Sequence, residues 1–259
     1  MNPLFTGLFD DAAIFPPGNL PMPAAVTAHR ERRASPLAPL LGPFVCSLAR
    51  WGELTAAAER SAADGGPALP VSLVLPDGGA ELPAHPAVEI VAVESTRTGL
   101  VGTLPAYQEI PCAEITATRV AALRDAGLRL KIRTGGVRAE AFPSEEELAQ
   151  AIWYAVRGGL AFKLTAGLHD PIRHRDPVTG FEHHGYLNVL LATTRALQGY
   201  AIERALADQD GARVAAAVAA IDEVVAKAVR HHFISFGTCS ISEPVDGLLR
   251  YGLLSKDLR

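Results

Sequence analysis

LRLKIRTGGVRAEAFPSEEELAQAIWYAVRGGLAFKLTAG, residues 128–167, reads as strand, helix, strand. Its two ends, LRLKIRT (128–134) and LAFKLTA (160–166), are short apolar runs in which a lysine interrupts one face, the two-residue period of a strand. Between them SEEELAQAIWYAVR (144–157) carries apolar residues at helical spacing, with Ser144 as N-cap and Glu147 in the capping-box position. Two strands joined by a crossover helix pair in parallel with a right-handed connection. The rest of the chain repeats this unit.

Eight apolar runs recur along the 259 residues, at 8–15, 43–49, 69–75, 87–93, 106–110, 128–134, 160–166 and 232–238. Eight strand-helix units close into a barrel, so the expected fold is α/β, a single-domain (β/α)8 TIM-type barrel over residues 1–259. An open doubly wound sheet is the alternative, because the first two runs and the run at 106–110 are bounded by prolines. Residues 185–206 and 211–230 read as two long helices, and the Pro/Ala-rich stretch 16–43 as a helix plus an ordered loop over one barrel end.

Composition narrows the function. Hydrophobic residues make up 49% and charged residues 20%, which is enough apolar surface for a large core, folded alone or as a homo-oligomer. A net charge of -4 with no basic run excludes a nucleic-acid face and leaves small molecules as the expected partners. No segment has the length of a membrane span, and the start, MNPLFTGLFDDAAIFPPG, lacks the basic region and unbroken apolar stretch of an export signal. Cys46, Cys112 and Cys239 are odd in number and widely spaced, which fits a reducing, cytoplasmic setting. No dinucleotide or P-loop fingerprint occurs, and the reading calls for no cofactor.

Lysine usage gives the sharpest clue. The chain has four lysines against 20 arginines, and two of the four, Lys131 and Lys163, stand on consecutive strands. Unlike arginine, a buried lysine can lose its proton and act as a nucleophile. Strand alternation puts Lys131 and Arg133 on one inward face, and Lys163, Thr165, Gly167 and His169 on the next. Glu109, on the strand before, falls beside Lys131. Two neighbouring ammonium groups are expected to repel, lowering the pKa of one and freeing it to attack a carbonyl. Gly135 and Gly136 offer backbone amides to an anion, though Gly-Gly after a strand is first of all a turn.

The loop 168–185, LHDPIRHRDPVTGFEHHG, is the second constellation. His169 is expected to act as acid or base, Arg173 to clamp an anion bidentately, and His174 to line the substrate. His169, His174, His183 and His184, with Asp170 or Asp176, are the alternative, a metal site, although their spacing matches no zinc signature. Asp10 and Asp11, beside the first run, are a lesser functional candidate, since one could reach the barrel mouth, although an Asp pair at a turn usually caps or is solvated. Cys239 reads as packing.

Residues 128–167 resemble the stretch of deoxyribose-phosphate aldolases that runs from their LLLKVIxETG strand to their AGADFxKTSTG strand. The resemblance implies class I aldolase chemistry, with Lys163 of KLTAG at the position of the Schiff-base lysine and Lys131 at the lysine of the preceding strand. The family's later KASGG lysine has no counterpart, since HFISFGTCS (232–240) contains none, and Glu109 matches its aspartate only loosely. The expected function is thus a lyase acting on a small anionic carbonyl compound through Lys163. Lys131, Glu109 and His169 would assist, with Arg133, Arg173, Thr165, Gly135, Gly136 and His174 holding the substrate. A metal-dependent hydrolase or lyase built on loop 168–185, or a ligand-binding barrel, are the alternatives.

Overall fold

The computed structural model describes residues 2–61, 66–77, 80–96 and 103–255. Its strands are β1 (Phe9–Asp11), β2 (Leu41–Ser47), β3 (Leu69–Val74), β4 (Val88–Ser95), β5 (Ala106–Ile110), β6 (Arg129–Arg133), β7 (Phe162–Thr165), β8 (His174–Arg175), β9 (Glu182–His183) and β10 (Phe233–Thr238). Its helices are α1 (Met22–Arg33), α2 (Trp51–Ser61), α3 (Ala117–Asp125), α4 (Glu145–Arg157), α5 (Tyr186–Leu197), α6 (Glu203–Ala207), α7 (Gly211–Ala219), α8 (Glu223–His232) and α9 (Ser242–Arg250).

Eight parallel strands close into a barrel in the order β1, β2, β3, β4, β5, β6, β7, β10, with β10 returning to pair with β1. All eight expected strands are present, and closure decides for the TIM-type barrel over the open sheet. β8 and β9 form a separate hairpin inside the loop after β7. No helix among the described residues is long and apolar enough to cross a membrane.

Side-chain alternation sorts the strands into an apolar outside and a polar inside. Leu130 and Ile132 of β6, with Phe162 and Leu164 of β7, are fully buried on the opposite face from Lys131 and Lys163. Phe9 of β1 and Phe236 of β10 pack edge-on at 5.3 Å and meet Tyr186 of α5, which turns Asp10 toward the interior. Asp11 points the other way, to His29 of α1 at 3.1 Å, and fastens α1 to the barrel. Burying side chains of this size gains about 1.5–3 kcal/mol each, so the outer layer is the main source of stability.

The capping box of α4 is present, with Ser144 Oγ accepting from the Glu147 amide at 3.2 Å and Glu147 accepting from the Ser144 amide at 2.8 Å. The two long helices expected at 185–206 and 211–230 are instead four. Gly199, at φ +78°, closes the end of α5, and Asp222 N-caps α8 by accepting from the Val225 amide at 2.8 Å. Within 16–43 the helix is α1, and the loop before it reaches the carboxyl end of the barrel. A Cβ on Gly18 would lie 2.9 Å from the Cys239 carbonyl oxygen.

Candidate active site

Parallel register sets the interior. Glu109 is level with Lys131, Lys131 with Lys163, and Lys163 with Ser235 of β10. One continuous ion-pair chain results. Lys163 Nζ donates to Asp10 Oδ2 at 2.5 Å and to Glu94 Oε1 at 2.7 Å. Glu94 Oε2 is 2.8 Å from Lys131 Nζ, which lies 3.0 Å from Glu109 Oε2, and Arg133 Nε closes the row on Glu109 Oε1 at 2.7 Å. Ser72 donates to Glu94 at 2.6 Å and Ser235 to Asp10 at 2.8 Å.

The structure thus brings together Glu109, Lys131, Arg133 and Lys163, and adds Asp10 and Glu94. Lys163 is only 2% exposed, whereas Arg133 stands at the mouth with its side chain 47% exposed. The ring of Tyr107 lies 5.2 Å from Lys163 Nζ, and its hydroxyl accepts from Arg129 at 3.1 Å. Three cations face three carboxylates, so the row is neutral in sum.

The electrostatics overturn the expected depression of a lysine pKa. Burial works against the charge on Lys163, yet Asp10 and Glu94 raise its pKa well above the ordinary value. Glu94 stands between the two lysines, one oxygen for each, and removes the repulsion inferred from their adjacency. Burial alone would raise the Glu94 pKa, but Lys131 and Lys163 together hold it far below the usual carboxylate range. Glu109 is also held low, against its burial, by Lys131 and Arg133.

Asp10 moves the opposite way. Burial raises its pKa despite Lys163 and Ser235, and Oδ1 is buried with no hydrogen-bond partner. That oxygen sits where β2 has glycine: a Cβ on Gly42 would be 2.0 Å from it. Two carboxylates on one amine are therefore driven apart, Glu94 toward the anion and Asp10 toward the acid, the usual mark of divided acid and base roles.

The mouth loops are tied to one another more than to the ion-pair row. Strand alternation ends at Thr165, because Ala166 and Gly167 take φ of +62° and +77°, so His169 does not continue the inward face of Lys163 as expected. His169 Nδ1 instead pairs with Glu243 Oε2 at 2.8 Å, beside Cys239. Thr165 is half-buried, and its carbonyl accepts from the Thr134 amide at 2.9 Å. Gly135 allows close approach of the β6 and β7 ends, where a Cβ would lie 2.7 Å from the Gly167 Cα, and Gly136 faces Ala141 in the same way.

Arg173 does not stand free as an anion clamp. Its buried guanidinium is held by Glu145 at 2.8 Å and Glu182 at 3.4 Å, and it contacts His184 at 3.2 Å, so its charge is used inside the loop. His184 contacts the Pro143 carbonyl at 2.8 Å, and burial lowers its pKa to about 4. His174 and His183 lie side by side in the β8–β9 hairpin, with His174 also 3.4 Å from Asp170. Among the described residues no three His, Cys, Asp or Glu side chains are grouped to hold a metal ion.

Asp10 and Glu94 are the site residues the sequence reading missed. Asp10 is legible as an acid beside an apolar run that could reach the barrel mouth, but nothing in the sequence ties it to Lys163. Glu94 follows directly on the run 87–93, and the register of β4 shifts between Ile90 and Ala92, which breaks simple alternation. No family model, curated protein or solved structure matches the chain.

Proposed function

We propose that this barrel is a lyase that makes or breaks a carbon–carbon bond in a small anionic carbonyl compound through an imine on Lys163. The observation that carries the reading is a buried amine within hydrogen-bond distance of two carboxylates of opposite tendency, Asp10 and Glu94. TIM-type barrels are commonly enzymes with their sites at the carboxyl ends of the strands, and the fold by itself names no reaction. The local resemblance to deoxyribose-phosphate aldolases adds support at Lys163 and Lys131.

In its resting state Lys163 is an ammonium and cannot attack. Transfer of one proton to Asp10 Oδ2, already 2.5 Å away, leaves a neutral amine and a protonated carboxyl. The amine adds to the substrate carbonyl, Asp10 returns the proton to the leaving hydroxyl, and water departs. The resulting iminium accepts the electron pair of the neighbouring carbon–carbon bond as it breaks. Glu94 stays ionised and stabilises the cation, Glu109 carries the proton to or from carbon, and Lys131 with Arg133 hold the anionic group. The test is Lys163→Arg, which keeps a cation between Asp10 and Glu94 but cannot form an imine. All turnover of aldehydes and keto acids is lost if the reading is right, and a variant that keeps turnover overturns it.

A further inference from the structure

Cys239 follows β10 and His169 follows the turn after β7, so adjacent barrel strands deliver a thiol and an imidazole to the same side of the mouth. Cys239 Sγ lies 3.8 Å from His169 Nδ1 and 3.9 Å from Nε2. Glu243, in the first turn of α9, binds Nδ1 at 2.8 Å, which orients the ring and leaves Nε2 as the basic nitrogen. Burial would lower the His169 pKa, but Cys239 and Glu243 raise it above the ordinary value. The group is open to solvent, with side-chain exposures of 23% for His169 and 55% for Glu243.

The other two cysteines have different partners. The Cys46 and Cys112 thiols bond to backbone carbonyls, those of Ser47 and Glu147, and burial pushes both thiols up to about 12. Among the described residues, neither thiol is bonded to an imidazole. A thiol, a base in reach of it and a carboxylate orienting that base are the parts of nucleophilic acyl transfer.

From this geometry we infer that Cys239, His169 and Glu243 form a second nucleophilic centre, separate from Lys163, that takes small acyl esters or thioesters. His169 accepts the thiol proton as sulfur bonds to the acyl carbon. The bond to the leaving alkoxide or thiolate breaks, and that group takes the proton from His169. Water, deprotonated by the same imidazole, then attacks the acyl-cysteine. The carbon–sulfur bond breaks and the thiol regains its proton, so the net change is hydrolysis of one ester bond. Glu243 touches no reacting atom and is a positioning residue.

The experiment uses the intact protein and p-nitrophenyl acetate at neutral pH, with peptide mass spectrometry of the quenched reaction. The inference expects an acetyl group on Cys239 and repeated turnover. Cys239→Ala should abolish both, and His169→Asn should slow acetylation by roughly 100-fold or more, the usual contribution of a general base. Glu243→Gln should slow turnover while leaving Cys239 in place to be acetylated. Iodoacetamide supplies a readout that needs no variant: Cys239 should alkylate well before Cys46 and Cys112, whose continued protection also reports that each variant is folded. Acetylation on lysines or on Cys112, turnover that survives Cys239→Ala, or alkylation of Cys112 as fast as Cys239 would each overturn the inference. None of these outcomes depends on what Lys163 does.

Discussion

Lys163 and Asp10, 153 positions apart in the chain, meet inside the barrel at 2.5 Å. The contact exists because β10 pairs with both β7 and β1 and so closes the sheet between them. It joins a buried amine to a carboxylate whose burial raises its pKa. Both the stability of the interior and its proposed chemistry turn on it.

Replacing Asp10 by Asn leaves one more positive charge than negative in the row. Removing one partner of a buried ion pair costs about 3–5 kcal/mol, and urea unfolding should show a loss of that order. Asp10→Asn should also slow imine formation on Lys163 more than it weakens substrate binding, a fall in kcat with KM little changed.

Gly42 gives Asp10 its room. Gly42→Ala would put a methyl group 2.0 Å from Asp10 Oδ1 and 3.1 Å from its Cγ. The carboxylate must move away from Lys163 or β2 must shift, and such overpacking costs about 1–3 kcal/mol. Thermal unfolding should show the lower Tm, and imine formation should fall as in Asp10→Asn.

Titration of stability should give two limbs. Glu94 and Glu109 have folded pKa values below their ordinary 4.5, so they stabilise above that pH and the contribution is lost as the pH falls. Asp10, raised above 3.8, acts in the opposite sense and blunts this acid limb. Lys163, raised above 10.5, stabilises fully below that pH and loses its contribution as the pH rises through the folded value. As far as Glu94, Glu109 and Lys163 are concerned, urea midpoints should therefore be flat from about pH 5 to 10. Glu109→Gln should make the acid limb shallower.

Arg133 and Arg173 should separate cleanly. Arg133 is half exposed at the mouth, so Arg133→Ala should change stability by less than about 1 kcal/mol while raising KM for an anionic carbonyl substrate. Arg173 is buried among Glu145, Glu182 and His184, so Arg173→Met should cost about 1–3 kcal/mol of stability by leaving those groups without their partner. Its effect on the kinetics of the folded fraction should be small.

Much of this architecture was legible in the chain, because it follows from local patterns. The strand-helix-strand unit at 128–167, the capping box at Ser144 and the shared inward face of Lys131 and Arg133 all rest on periodicity within a few residues. The barrel row was half legible for the same reason: Glu109, Lys131 and Lys163 come from consecutive strands. Asp10 joins them only through closure of the sheet, and Glu94 only through the shifted register of β4. Neither is a property of a short window. The pKa of Lys163 was misread because two lysines were visible side by side in sequence while the carboxylate between them was not. The left-handed pair Ala166 and Gly167 likewise carried His169 away from the strand face that simple alternation assigned to it.

The most direct measurement incubates the protein with a panel of small aldehydes and keto acids, adds borohydride, and maps the adduct by peptide mass spectrometry. The account predicts a reduced secondary amine on Lys163, absent from Lys163→Arg and strongly diminished in Asp10→Asn. An unmodified Lys163 across the whole panel, in protein shown to be folded, would contradict it.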